Sequence, residues 1–487
     1  ARAYIKYREK RAQSRAAQSV VVEVGKTMQE YLDNLDWRIN ENANIGYSIW
    51  GLILKNSEKI TANYRLSHIY SEEIGNAHRN ADYHIHDLGM FTPYCAGWSL
   101  RALLEEWFNG VDGKLQSAPP KNLQAAVNQM INFFGTLQNE RAGAQAFSSF
   151  DTYLAPFVHK RKEEIEKEFD NLWVKFESEQ KKKDYILKKV HKYVKQQLQN
   201  FIFGLNAPSR RWTQTPFTNI TLDWVCPPDL KEKALMLGGP DLGYYKKKFG
   251  ELHEEMHLLN KVLIEVYTEW DWGGSVFTFP IPTYNIVEGF PWDDPLVDDL
   301  FEMTAKYGIP YFQNFIGSQY EKDENGRITT IKKEWAYSPD AVRSMCCRLQ
   351  LDLKQLEKRG WGLFGSAEMT GSIGVVTINA ARLWFNFKWD MDGLKNQLLY
   401  LMNLAKDSLE IKRKEMTKRL NNGLFPYTKR YLTTFRNHFS TIGINGLNEC
   451  ILNFTDWKED ISTKEWIRLA KEILDFMRDV LVEYQED

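Results

Sequence analysis

Cysteine is scarce in this chain: there are five in 487 residues, Cys95, Cys226, Cys346, Cys347 and Cys450. An odd, scattered set is no disulfide framework, and no C-x-x-C pair is available to hold a structural zinc. A reducing, cytoplasmic setting is the expectation. An excess of one charge is also lacking, since 63 Lys and Arg face 64 Asp and Glu for a formal net charge of −1. No global field therefore draws the protein to nucleic acid or to a membrane surface. No apolar run approaches the ~20 residues of a membrane-spanning helix, and no signal peptide is recognisable. Fixed-period repeats and low-complexity tracts are missing too.

What is present is an ordinary globular balance, with 43% hydrophobic and 26% charged residues. The aromatic share is high at 14%, including 16 Trp and 23 Tyr, and buried Trp and Tyr need polar partners. A chain of this length predicts one large domain or two or three smaller ones. Helical periodicity runs over 48–80, again from 120 to about 205, and finally over 463–484. Within the second stretch, 159–199 reads as an amphipathic helix pair, with Lys181, Lys182 and Lys183 at its turn. The segment 20–47 is charged and need not be compact. Strand-like pieces are short and dispersed: 83–86, 276–280, 311–314, 373–378 and 440–444. Each is followed by helical sequence, which argues for an α/β architecture around a central sheet or barrel.

Adjacent Cys346 and Cys347 are the most unusual local feature, because vicinal cysteines cannot form an ordinary strain-free disulfide. They are either small buried hydrophobes or a chemical site. Gly360, Gly362 and Gly365 after them suggest a mobile loop that ends at the strand beginning near Ile373. Cys95 follows Pro93 and precedes Gly97, so its thiol is expected at a turn or strand edge. His84 and His86 alternate by two and so share a strand face. They form a core pair, a pair facing a polar ligand, or two of a metal's ligands, but no third ligand has suitable spacing. The runs Gly371-Ser372-Ile373-Gly374 and Gly443-Ile444-Asn445-Gly446 place small residues where backbone amides hold phosphate or where the chain turns tightly. Neither matches a Walker A or dinucleotide pattern.

Seven runs in order carry a resemblance. They are Asp82-Tyr83-His84-Ile85-His86-Asp87-Leu88, Gly143-Ala144-Gln145-Ala146-Phe147-Ser148-Ser149-Phe150-Asp151 and Thr215-Pro216-Phe217-Thr218-Asn219. Phe277-Thr278-Phe279-Pro280-Ile281-Pro282-Thr283 and Met345-Cys346-Cys347-Arg348-Leu349 follow. Gly374-Val375-Val376-Thr377-Ile378-Asn379 and Thr441-Ile442-Gly443-Ile444-Asn445-Gly446 complete the set. From about Tyr47 onward the chain resembles the large catalytic subunit of anaerobic (class III) ribonucleotide reductases, of the glycyl-radical superfamily.

That resemblance implies a ten-stranded α/β barrel of two antiparallel five-stranded halves, with a central finger loop and helices outside. It implies anaerobic reduction of ribonucleoside triphosphates to their 2′-deoxy forms for DNA synthesis. Cys347, directly before Arg348, matches the thiol that carries the radical, and Cys95 matches the second cysteine, which supplies reducing equivalents. His84 matches a histidine that holds substrate or positions the reductant. Ser372, Asn379, Asn445 and Gly446 complete the expected substrate-binding set, and Ser372 stands where many formate-using members carry Asn. No metal ligand is expected within the chain. Residues 1–16 resemble the last helix of an ATP-cone, 17–46 form a linker, and 47–487 form the catalytic barrel. The family's radical glycine and four-cysteine structural zinc site are expected on a segment outside the given sequence. ATP, dATP and other deoxynucleotides as effectors, formate or a thiol redoxin as reductant, and a radical S-adenosylmethionine activating enzyme with an iron–sulfur cluster are implied too. A homodimer or higher oligomer is also implied, its effector site near the helices of 100–150. Two rivals remain: another glycyl-radical enzyme acting on a small acid, such as a pyruvate formate-lyase relative, and a nucleotide-sensing scaffold without chemistry.

Overall fold

The structure is a computed structural model. It describes residues 20–33, 47–316 apart from short gaps at 107, 109, 115, 173–175, 210–213, 238–243 and 270–272, and 369–486 apart from 388–389, 455–457 and 459. Between these stretches it describes the strands at 320–322, 328–331, 342–345 and 349–352.

The strands are β1 (Tyr83–Ile85), β2 (Ala96–Trp98), β3 (Gln145–Phe147), β4 (Thr218–Leu222), β5 (Ala234–Met236), β6 (Tyr244–Lys248), β7 (Ile281–Ile286) and β8 (Tyr311–Asn314). They continue with β9 (Tyr320–Lys322), β10 (Ile328–Ile331), β11 (Val342–Met345), β12 (Leu349–Asp352), β13 (Gly371–Asn379) and β14 (His438–Asn445). The helices that matter below are α1 (Val20–Leu32), α2 (Ile49–Tyr64), α3 (Glu72–Arg79), α4 (Leu123–Leu137), α5 (Phe150–Asn171) and α6 (Glu179–Asn206). After these come α7 (His253–Glu269), α8 (Pro295–Tyr307), α9 (Ala380–Asn386), α10 (Met391–Asn421), α11 (Leu447–Phe454) and α12 (Lys464–Glu486).

Contacts divide the chain into two units, the first being Ala1–Tyr94, Ser372–Leu424 and His438–Asp487, the second Cys95–Gly371 and Phe425–Asn437. The second unit is built on five parallel strands in the order β2-β3-β4-β7-β8. Parallel strands covered on both faces have no side open to solvent, and β2, β3 and β4 are buried at every position. Helices α4, α5, α6 and α7 pack on one another. Asn122 starts α4 by accepting the Ala125 amide at 2.8 Å, and Ser178 starts α6 by accepting the Lys181 amide at 3.2 Å. Lys181, Lys182 and Lys183 therefore sit at the beginning of α6, not in the turn before it. Along α6 the buried stripe is Ile186, Val190, Val194, Leu198, Phe201, Ile202 and Leu205. That spacing matches the helical period, and each such side chain contributes roughly 1.5–3 kcal/mol by leaving water.

Under these helices lies a buried polar knot. Asp151 accepts the amides of Thr152 (3.1 Å) and Asp223 (2.9 Å) on one oxygen, and the Trp224 amide (2.8 Å) and Asn260 Nδ2 (2.9 Å) on the other. Thr152 Oγ1 and Asn285 Nδ2 donate to Asp223 at 2.7 and 2.8 Å. The knot ties the start of α5 to the ends of β4 and β7 and to α7. Also in this unit, β11 and β12 form an antiparallel pair, with Met345 opposite Leu349, and β11 runs beside β4 and β7. Cys346, Cys347 and Arg348, which join them, lie outside the described residues, as do the glycines at 360, 362 and 365.

In the first unit β13 pairs antiparallel with β1, Tyr83 opposite Ile378 and His84 opposite Thr377, and β14 pairs with β13. A separate core of Ile74, Tyr83, Ile85, Val376, Ile378, Leu398, Met402, Leu409, Ile473 and their neighbours lies within this unit. It is fed by the buried stripe of α10 and by α12.

The α/β class is as expected, and four of the five strand-like runs are strands. The exception is 276–280, which lies outside regular strand, with β7 beginning at Ile281. Three further readings change. The helix α1 occupies part of 20–47, with Thr27 and Tyr31 buried one turn apart. Gly97 lies inside β2 and marks no turn, while Cys95 lies in the loop just before that strand, as expected, and is buried. Gly371 to Gly374 begin β13 and form no turn. Strand β3, embedded between two helical stretches, is three residues long, too short for its alternation to stand out in sequence.

Candidate functional site

The site grows from the end of β1. Its burial alternates, with Tyr83 and Ile85 inside and His84 outside, as the period of two requires. His84 and His86 then share a face, their ring centroids 4.8 Å apart and nearly perpendicular. His86 Nε2 meets Thr377 Oγ1 at 2.8 Å, which ties the pair to β13. Sequence reasoning missed a third histidine. His78, on the last turn of α3, has its ring centroid 5.3 Å from that of His84, and its Nδ1 accepts the Ile85 amide at 3.2 Å. Burial, with help from His84 and Arg79, pushes the His78 pKa down to about 4. Burial and His84 lower that of His86 as well. Losing water disfavours the charged ring, so His78 is neutral near pH 7.

At its far end β13 delivers Asn379, the N-cap of α9. Its Oδ1 accepts the Arg382 amide at 3.2 Å, while its Nδ2 donates to the Ala81 carbonyl at 3.0 Å. Arg382 in turn bonds Asp82 at 2.7 Å. Strand β14 ends at Asn445, whose Oδ1 accepts the Gly446 amide at 2.8 Å. Gly446 has φ +78°, and a Cβ there would lie 3.3 Å from the Ala381 Cβ. The left-handed backbone and the close approach to α9 both call for glycine. Helix α11 begins immediately after it and packs on α9.

These elements line an open cavity of about 490 Å³ in the first unit. Its walls include His78, His84, Thr377, Asn379, Asn445 and Gly446, with Glu449 from α11 and Tyr83 from β1. Among the described residues no lysine or arginine lines it. Among these residues neutral donors and acceptors therefore dominate, and Glu449 supplies a carboxylate.

Four of the expected substrate-binding residues, His84, Asn379, Asn445 and Gly446, thus meet at one cavity. Ser372 is in the same unit but does not line it. Its hydroxyl donates to the Gly374 carbonyl at 3.2 Å. Cys95 is buried in the second unit just before β2, and Cys347 lies outside the described residues. Among the described residues no group of three or more His, Cys, Asp or Glu is placed to hold a metal ion. No helix among them is long and apolar enough to cross a membrane.

A search of curated protein sequences finds no match. Solved structures do match. One anaerobic ribonucleotide reductase superposes with a TM-score of 0.67 at 19% identity, covering 97% of this chain and 68% of that one. The anaerobic ribonucleotide reductase from Thermotoga maritima in complex with dATP and CTP gives 0.65 at 18%, covering 95% of this chain and 74% of that one. The same enzyme with dATP bound in the specificity site gives 0.65 at 18%, covering 95% and 72%. At such identities these structures establish likeness of fold. The family model for anaerobic ribonucleoside-triphosphate reductase matches residues 41–487, nearly the whole chain. The chain belongs to the anaerobic ribonucleoside-triphosphate reductase family.

Proposed function

We propose that this chain reduces ribonucleoside triphosphates to 2′-deoxyribonucleoside triphosphates under anoxia through a thiyl radical on Cys347. The observation that carries the reading is the convergence of His84, Asn379, Asn445 and Gly446, from distant stretches, on one cavity of a chain in this family. There His84 and Asn445 orient the ribonucleotide, the chain reversal at Gly446 brings the start of α11 to its anionic end, and Asn379 fixes the opposite wall. Ser372 shapes the neighbouring part of β13. When present, a glycyl radical supplies the oxidising equivalent that converts the Cys347 thiol to its radical form. Cys347 takes the ribose 3′ hydrogen, the 2′ hydroxyl leaves as water with one added proton, Cys95 contributes reducing equivalents, and Cys347 returns the hydrogen to C3′. With formate as reductant the balance closes, formate and one proton being consumed as carbon dioxide and water form. Holding thiol and ribose in one geometry supplies much of the rate, and exclusion of water protects the radical.

The pairing of β11 with β12 on either side of Cys346, Cys347 and Arg348, and their course beside β4 and β7, support a finger loop. The five parallel strands of the second unit support one half of a ten-stranded barrel spanning 47–487. Residues 1–16 are read as the end of an ATP-cone and 17–46 as its linker. A radical S-adenosylmethionine activating enzyme, a separate structural zinc, regulation by ATP, dATP and other deoxynucleotides, and homodimerisation complete the proposal. The Thermotoga maritima structures with dATP support the regulatory part. Anaerobic assay of the full-length protein with its activating enzyme, S-adenosylmethionine, formate and CTP should yield dCTP. Cys347→Ala should fall to background turnover while still binding CTP. Full turnover by that variant would overturn the mechanism, and pyruvate cleavage in place of nucleotide reduction would favour the small-acid rival.

A further inference from the structure

His78 has no counterpart among the residues that sequence reasoning selected, yet it lines the cavity beside His84. Its protonation pattern follows from one hydrogen bond. A backbone N–H can only donate, so the contact from Ile85 N to His78 Nδ1 at 3.2 Å requires a lone pair on Nδ1. A neutral imidazole carries one N–H, which must then sit on Nε2. Among the described residues no hydrogen-bond partner stands on Nε2, and the ring is part-exposed on the cavity wall.

We propose that His78 is a positioning residue of this cavity, presenting Nε2–H as a fixed neutral donor to an oxygen of the bound ribonucleotide. The inference rests on the reading of the cavity as the ribonucleotide site and adds to it. Local structure fixes the donor's direction. His78 closes the last turn of α3, where its carbonyl accepts the Ala81 amide at 3.1 Å and Ala81 turns with φ +60°. The His84 ring lies against it, tilted by 44°. A second proton would have to go to Nδ1, where it would break the bond to Ile85. The neighbouring groups oppose it as well: burial, His84 and Arg79 all disfavour the cation. His84, Tyr83 and Glu449 are the other titratable groups among its described lining residues. With no lysine or arginine among the described lining residues, a neutral donor adds a hydrogen bond without tying affinity to a charge that changes near pH 6.5.

The test uses the full chain, with CTP as the probe, in equilibrium binding at pH 7.5 and 6.0. His78→Ala should weaken binding about tenfold, as expected for losing one hydrogen bond to a charged or strongly polar group. His78→Gln, which can accept from Ile85 and donate into the cavity, should recover most of the loss. Melting temperature reads the Ile85 contact separately. In wild-type protein labelled with ¹⁵N-histidine, the His78 resonances should show the Nε2–H tautomer at both pH values. The Nε2 signal should move when CTP is added, and His78→Gln assigns the peak by its loss. Wild-type protein that fails to bind CTP would sink the reading of the cavity itself. Binding by wild type with unchanged affinity in His78→Ala would sink the role of His78 alone. A folded His78→Gln as weak as His78→Ala, or a spectrum with the proton on Nδ1, would do the same. The spectroscopic arm decides the matter even if His78→Ala does not fold.

Discussion

At the residue scale, Asp151 shows how number of partners and charge compete. Four N–H groups converge on its two oxygens, which suits a carboxylate and no other side chain. Yet complete burial, and then the nearby Asp223, push its pKa up. An acid whose pKa is raised on folding binds its proton more tightly in the native state. Its stabilising contribution is therefore full below the ordinary carboxylate range and is lost as pH rises through the raised value. Asp151→Asn would remove the charge but turn an NH₂ toward two N–H donors. We expect the second effect to win, with a loss of about 2–4 kcal/mol from donors left unsatisfied. Thermal melts of wild type and variant should show the variant less stable at pH 5 and at pH 7, with the gap larger at pH 5. A variant as stable as wild type would mean that the N–H bonds matter less than relief of charge.

At the element scale, the junction from β13 to α9 joins stability and binding in one side chain. Asn379 caps the helix through Oδ1 and holds the 79–82 turn through Nδ2. Asn379→Ala should cost about 1 kcal/mol for the cap. Asn379→Asp keeps the cap acceptor but loses the donor to the Ala81 carbonyl, so its melting temperature should fall by an amount worth about 1 kcal/mol, comparable to Asn379→Ala. Its carboxylate faces the cavity beside Glu449, and affinity for an anionic nucleotide should fall about tenfold or more. Equal CTP affinity in Asn379→Asp and wild type would remove Asn379 from the cavity's function. The same junction shows what the sequence made legible. Strand β13 and helix α9 follow from an apolar run ending in a capping Asn, and the turn at Asn445 and Gly446 from a glycine before a helix. His84 and His86 were readable because strands alternate by two. His78 was not, because a spacing of six has no meaning until α3 folds back on β1. Glu449 and Thr377 were hidden likewise, their importance lying in which elements pack together. Strand β3 is three residues long between two long helices, and α1 shows charge where its buried face is narrow. Neither has a period strong enough to read locally.

At the scale of the whole molecule, two separate apolar cores lie in two units, and their titratable groups pull stability in opposite directions with pH. In the first unit His78 and His86 have lowered pKa values, His78 to about 4 from 6.5. A histidine held neutral stabilises the fold fully above its unfolded pKa, and this contribution drains away as pH falls from about 6.5 toward 4. In the second unit Asp151 acts in the reverse sense, gaining as pH falls through its raised value. Glu255, buried against His159 at 2.7 Å, has its pKa lowered. Its contribution is lost only below the ordinary range of a glutamate near 4.5, outside the window between pH 5.5 and 7. Acidification across that window should therefore loosen the first unit relative to the second. Hydrogen exchange followed by mass spectrometry, corrected for intrinsic rates, reads this directly. Between pH 7 and 5.5, protection in β1 and β13 should fall more than in β4 and the first turns of α5. Adding CTP at pH 5.5 should restore the first unit selectively, since a ligand that binds only the folded site stabilises that site by mass action. Greater loss in β4 and α5 would show that the histidine cluster does not govern the acid response, and that the cavity tolerates a charged ring.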